Sequence, residues 1–265
     1  MKMKQYRSHA VFLILATLFL GLIYLPLLAN ERILNLFARE DGIFENLTAL
    51  YLLITSFLFA AVFFRFRKSS WLLRLSYAGL ALLFFLGAGE EVSWGERVFD
   101  WDDHNYIKGI NVQGELTIHN LKYFQGEEAI LPVSPSQLFI VFAFVFAVII
   151  PLVCKLSPRI EGFLASRFPV MPLHLGVLVV ITYIFQKAML RLLPLFPALY
   201  QHPSMPIPQG VHEIREHGYT FALLVSTVFY FLSMESAKKA EDGRVAQAAP
   251  ASSILAVSLD NEKAK

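Results

Sequence analysis

Residues 137–156 read QLFIVFAFVFAVIIPLVCKL, and no side chain from Leu138 to Cys154 carries a charge. A helix of this length rises about 30 Å, the thickness of a bilayer's hydrocarbon core. Apolar runs of similar size recur at about 10–29, 47–66, 73–89 (its helix continuing through Val92), 170–190 and 219–234. Backbone amides have no water to bond in lipid, so each run must close its hydrogen bonds internally as a helix. No sustained apolar–polar alternation suggests a β-barrel. The fold class that follows is all-α: a polytopic membrane helical bundle of about six transmembrane helices. Composition agrees, since 56% of the 265 residues are hydrophobic and 17% are charged, where soluble domains carry about a quarter charged residues.

Lys2, Lys4 and Arg7 precede the first run as they would in a signal peptide. The run is long and more spans follow, so it reads as an uncleaved first span. Pro151, Pro169 and Pro172 mark expected bends or helix ends. The single cysteine, Cys154, lies inside an apolar run, which excludes an intrachain disulfide and any Cys-based metal cluster. The organisation expected is a six-span domain over 1–234 with a large outer loop at 90–134, followed by a disordered cytoplasmic tail at 235–265.

Charge placement sets the orientation. Segments 1–9, 65–74, 155–168 and 235–265 hold 15 Lys or Arg and 6 Asp or Glu. The opposite segments, 30–46, 88–134 and 186–218, hold 8 and 15. Basic loops stay inside, so both termini are expected in the cytoplasm. Membrane lipids are the expected partners of the basic ends, and a membrane or periplasmic protein partner is open, as is the oligomeric state. No basic stripe interleaved with exposed aromatics points to nucleic acid.

The outer segments carry the chemistry. Glu90 and Glu91 directly follow an apolar stretch, where carboxylates require pairing, hydration or a cation. On a continuing helix, Glu90, Ser93 and Arg97 share a face while Glu91 points toward Gly95. Trp94 fits an interfacial anchor. Farther on, Glu115 and His119 are four apart, as are His212 with Glu216 and Glu213 with His217. Four-residue spacing makes helix neighbours, and imidazole with carboxylate suits zinc, iron or manganese. The histidines of His212-Glu213-Ile214-Arg215-Glu216-His217 are five apart, so the zincin spacing is absent. The expectation is an extracytoplasmic site with His119, Glu213 and His217 as ligands of a divalent metal such as zinc. Glu90, Glu91 and Glu216 would serve as proton-handling catalytic carboxylates, and Asp41 and Glu45 as further ligands.

Other patterns are weaker. Ser93 lacks the Gly-x-Ser-x-Gly elbow of a nucleophile. Asp100, Asp102 and Asp103 lack the rest of a calcium loop. Lys187 and Arg191 either snorkel or draw an anionic group toward the acids. The prolines between 192 and 210 read as an irregular cover or rigid connector.

The stretch Gly89-Glu90-Glu91-Val92-Ser93-Trp94-Gly95-Glu96-Arg97, with Asn111-x-Gln113-x-Glu115-x-x-x-His119-Asn120 downstream, resembles a family of uncharacterised bacterial multi-pass inner-membrane proteins. The resemblance covers roughly 38–235, with 87–121 its distinctive part. It implies a protein of the bacterial inner membrane and brings no activity with it. Ceramidase-like membrane hydrolases, which gather histidines, an acid and a serine around zinc, are alike only in the kinds of polar group. Their motifs and span number do not map onto this chain.

Two functional classes follow. One is a metal-dependent hydrolase or lipid-modifying enzyme. The other is a membrane scaffold, assembly factor or sensor whose acid–histidine network is structural or binds a partner. A transporter ranks below both, because no paired broken-helix repeat is visible. The orientation is testable. In a Cys154→Ala background, a cysteine at Gly109 is expected to react with a membrane-impermeant maleimide on intact cells. A cysteine at Ser69 is expected to react only after permeabilisation, and the reverse pattern inverts the topology.

Overall fold

A computed structural model describes residues 2–39, 42–67, 69–96, 109–111, 117–118, 121–124, 130, 133–196, 200 and 205–262, with side chains described between 10 and 240. Among the described residues, six stretches are long and apolar enough in their helices to cross a membrane: Ala10–Leu28, Glu31–Arg65, Trp71–Glu91, Pro135–Leu156, Leu173–Leu195 and Ile207–Ala240. The helices that build them are α1 (Lys2–Leu22), α2 (Glu31–Ala38), α3 (Ile43–Arg65), α4 (Trp71–Glu91), α5 (Pro135–Phe144), α6 (Ile150–Leu156), α7 (Pro158–Ala165), α8 (Gly176–Leu192) and α9 (Ile207–Glu262). Large apolar side chains such as Leu18, Phe57, Leu82, Phe85 and Ile184 remain exposed along them. In water such a surface is a liability; in a bilayer it is the lipid-facing wall.

Local chemistry sets the helix ends. Asn30 caps α2 by accepting from the Ile33 amide at 3.0 Å. Gly42 stands before α3, where a Cβ would lie 2.8 Å from the Phe37 carbonyl oxygen, so only glycine fits the short turn between α2 and α3. Ser134 and Gln137 form a reciprocal capping box at the start of α5. Pro208 falls in the first turn of α9, where its missing amide removes no helical bond. The last span therefore begins at Ile207 rather than near 219, and the segment 212–217 is already helical.

Between Thr227 and the N-terminus the chain forms one compact unit. Its interior holds an aromatic stack: Phe59 on Phe84 at 5.8 Å, Phe84 against Phe142 at 5.9 Å, and Phe146 against Phe168 at 5.8 Å. Ser56 of α3 donates to the Ala81 carbonyl of α4 at 2.7 Å, tying two apolar helices through a polar bond. Small residues admit the closest approaches. A Cβ on Gly218 of α9 would come within 2.8 Å of Thr182 Cγ2 of α8.

Pro151 does not end its span. A π-turn, Val145–Ile149, lies directly before it, and the run continues through α6. Proline removes an amide donor and crowds the preceding turn, and a widened turn absorbs both. At Pro169 and Pro172 the chain does leave the helix. Residues 228–265 form a second unit, with helical backbone through Glu262. Composition favours an unstructured tail over 235–265, but its many Ala, Glu and Lys residues are also strong helix formers.

The glycine contacts give a stability prediction. On Gly176 a Cβ would fall well inside contact distance of the Ala147 carbonyl oxygen, whereas on Gly79 it meets nothing within 4 Å. Gly176→Ala is expected to destabilise by about 1–3 kcal/mol through overpacking. Gly79→Ala should be neutral or slightly stabilising. Thermal unfolding in detergent compares the two.

Candidate functional site

The helix of α4 stops at Glu91, and the chain then turns through three consecutive left-handed residues: Ser93 (φ 47°), Trp94 (φ 53°) and Gly95 (φ 76°). For serine and tryptophan this conformation costs about 1–2 kcal/mol each. The turn throws the Trp94 indole back over Gly89, where a Cβ would meet the ring at 2.7 Å. The indole N–H then donates to Glu90 Oε1 at 2.6 Å, and the Ile118 amide donates to Glu90 Oε2 at 2.7 Å. Both bonds are charge-assisted when Glu90 is ionised. The Gly-Glu-Glu-Val-Ser-Trp-Gly pattern thus has a physical account. Gly89 leaves room for the ring, Glu90 anchors it, and Gly95 supplies the last positive φ.

This corrects the reading of a continuing helix. The helix ends at Glu91, so Glu90 and Ser93 do not lie on one helical face; residue 97 lies outside the described residues. Ser93 is buried, so it presents no exposed nucleophile. Asn111 is buried too, and its amide donates to the Thr117 carbonyl at 2.8 Å and to Thr117 Oγ1 at 3.1 Å. The Lys122 amide donates to the Ile110 carbonyl at 2.9 Å. Asn111 is therefore a loop-closing residue. His119, Gln113, Glu115, Asn120, Asp41, His104, His202 and the aspartates 100, 102 and 103 lie outside the described residues.

A second set of groups comes from the first turns of α9. His212 Nε2 lies 2.9 Å from Glu216 Oε1, which also accepts from Arg215 Nη2 at 3.1 Å. The same His212 nitrogen is 2.6 Å from Arg215 Nη2 and 3.3 Å from Ser136 Oγ. One nitrogen cannot both donate to Glu216 and accept from Arg215. The arrangement therefore couples the His212 proton to the Arg215–Glu216 pair. The expected four-residue pairing of His212 with Glu216 is present. Glu216 is an ion-paired carboxylate at the centre of this triad.

Glu91 feels the charges of Glu216, Glu45, Glu213 and Glu90, which belong to α3, α4 and α9. His217 is separated from solvent. It is fully buried, stacked on Phe44 at 4.8 Å and beside Tyr51 at 5.1 Å, with Nδ1 3.4 Å from Thr48 Oγ1. Its Nε2 has no partner among the described residues. Among the described residues no three His, Cys, Asp or Glu side chains are placed to hold one metal ion.

Arg215 is the participant that sequence reasoning passed over. It is 6% exposed, and its charge faces Glu216 and His212. The available signal was an arginine flanked by an acid at the next position and a histidine three before. Tyr219, one turn below Arg215, and Tyr24 are buried with hydroxyls that have no partner among the described residues.

Comparison with protein-family models, with characterised proteins and with solved structures finds no match.

Glu90 gives the sharpest test of this geometry. Glu90→Ala removes the acceptor of two charge-assisted bonds, each worth about 1.5–3 kcal/mol. Hydrogen exchange of the Ile118 amide is expected to accelerate at least ten-fold, with the spans retaining their protection. Unchanged protection at Ile118 would rule out the anchoring role.

Proposed function

We propose that this helical membrane protein is a metal-dependent hydrolase or lipid-modifying enzyme of the bacterial inner membrane, working at the acid-rich outer end of its bundle. What supports this reading is that Glu91, at the end of a span, feels the charges of four other carboxylates. Like charges acting on one another at the border of a low-dielectric region favour protons or a bound cation. Arg215 and His212 compensate Glu216, and a divalent ion would be drawn by the acid-rich composition of this end of the chain.

In this reading Glu213 and His119 supply ligands, and Glu91 takes the proton-handling role. Glu90 and Glu216 act as positioning residues, Glu90 holding the indole and the Ile118 amide and Glu216 pairing with Arg215 and His212. The Glu90 bond supports a place for His119, since it fixes the amide of the residue preceding that histidine. His217, buried against Phe44 and Tyr51, takes a packing role rather than that of a ligand. A bound divalent ion supplies an activated water at neutral pH, and the lipid boundary favours a lipid-borne substrate. The basic loops support cytoplasmic termini, and the Gly89–Arg97 motif supports the bacterial assignment.

The same Glu90 bonds favour a second reading, a scaffold or sensor whose acids simply tie the outer loop to α4. Metal analysis separates the two. Protein purified without chelator, then exchanged against zinc, manganese, iron, magnesium and calcium, is expected to retain about one ion per chain. Glu91→Gln and Glu213→Gln should each weaken retention at least ten-fold while the protein stays monodisperse. Retention of none of these ions defeats the enzyme reading and leaves the scaffold.

A further inference from the structure

We infer that α7 and the arginine following it form a binding site for the phosphate headgroups of anionic phospholipid, on the membrane face opposite the acid-rich centre. This surface helix has no buried residue. It joins the span ending at Leu156 to the one starting at Leu173, so connectivity keeps it at the bilayer surface. Ile160, Phe163 and Leu164 fall on one side of it by their three- and four-residue spacing. Phe163 is 58% exposed, and Leu156, at the end of the preceding span, is 76% exposed. An amphipathic helix of this kind lies in the interface with its apolar side against the acyl border.

The cations are organised around that apolar side. Arg159, Phe163 and Arg167 follow one another at four-residue intervals. The Arg167 guanidinium stacks 4.0 Å from the Phe163 ring centroid, and its Nη1 donates to the Phe163 carbonyl at 2.8 Å and to Ser166 Oγ at 2.9 Å. Two bonds, from the N-cap and the first turns of α4, hold the residues that follow the helix in place. Ser70 Oγ donates to the Ser166 carbonyl, and Ser76 Oγ donates to the Arg167 carbonyl at 2.7 Å. Arg167 is therefore preorganised, with its guanidinium fixed beside an exposed phenyl ring. A guanidinium fork matches phosphate oxygens, and a neighbouring phenyl ring suits the glycerol and upper acyl region.

Charge complementarity selects the occupant. The two loops on this face, 65–74 and 155–168, hold seven Lys or Arg and one acid. A basic, apolar-faced helix beside a bilayer is attracted to anionic lipid by about 1 kcal/mol for each Lys or Arg near the surface. The site is independent of the acid-rich centre, so success or failure here leaves the metal question untouched.

The test uses the full chain in nanodiscs of phosphatidylcholine with or without phosphatidylglycerol. A fluorophore on Ile160→Cys in a Cys154→Ala background is expected to be quenched by lipid-borne bromine and protected from aqueous iodide. Native mass spectrometry is expected to show retained phosphatidylglycerol. Arg159→Gln, which removes no hydrogen bond among the described residues, should lower that retention roughly five-fold, and adding Arg167→Gln roughly five-fold again. Iodide access at position 160, or equal retention of both lipids by the wild type and the variants, overturns the proposal. So does protection that appears only when two copies share a nanodisc, because a second copy then covers the helix.

Discussion

A bilayer interior offers a peptide group nothing to bond to. That constraint governs this protein from end to end. Each span has to satisfy its own amides, so regular helix fills the apolar runs, and the irregular backbone of the described residues gathers at their ends. The π-turn before Pro151 is the informative exception. Proline takes away one donor in the middle of a span, and the chain widens one turn instead of opening to lipid. Helix association has no hydrophobic drive of its own in this setting. It proceeds through close approaches at Gly176 and Gly218, the Ser56–Ala81 bond and the stacked phenyl rings.

The same constraint sorts charge to the two faces and gives each face a different problem. One face gathers carboxylates from three helices, with Arg215 and His212 against Glu216 as the compensation described there. The other gathers guanidinium groups and leaves apolar side chains of a short surface helix uncovered. Excess negative charge is relieved by protons or a cation, and excess positive charge by anionic lipid. The charge asymmetry from which the orientation is read is therefore also the one on which both proposed binding sites rest.

Span number and the acid-rich face were legible in the sequence because both rest on composition over long windows. The four-residue pairing of His212 with Glu216 was legible because it needs only a helix. The start of α9 was not, since charged residues between 212 and 217 resemble a loop when their partners across the bundle are unknown. The burial of His217 was hidden for a related reason. Its neighbours Phe44 and Tyr51 arrive from a helix far away in sequence. The left-handed turn at Ser93–Gly95 contradicts what Ser and Trp prefer locally, and tertiary bonds to Glu90 override that preference. Such a conflict between local propensity and observed backbone is a mark of a constrained position.

The contrast between Glu90 and Glu91 follows from helix geometry. Consecutive residues on a helix point about 100° apart, so two identical side chains at one helix end meet different surroundings. Glu90 turns toward the indole and the Ile118 amide, and both of its oxygens are engaged. Glu91 instead feels the charges of acids on α3 and α9. The doubled acid therefore meets two different surroundings: one glutamate holds the turn in a backbone conformation it would not otherwise keep, and the other takes no part in that anchor.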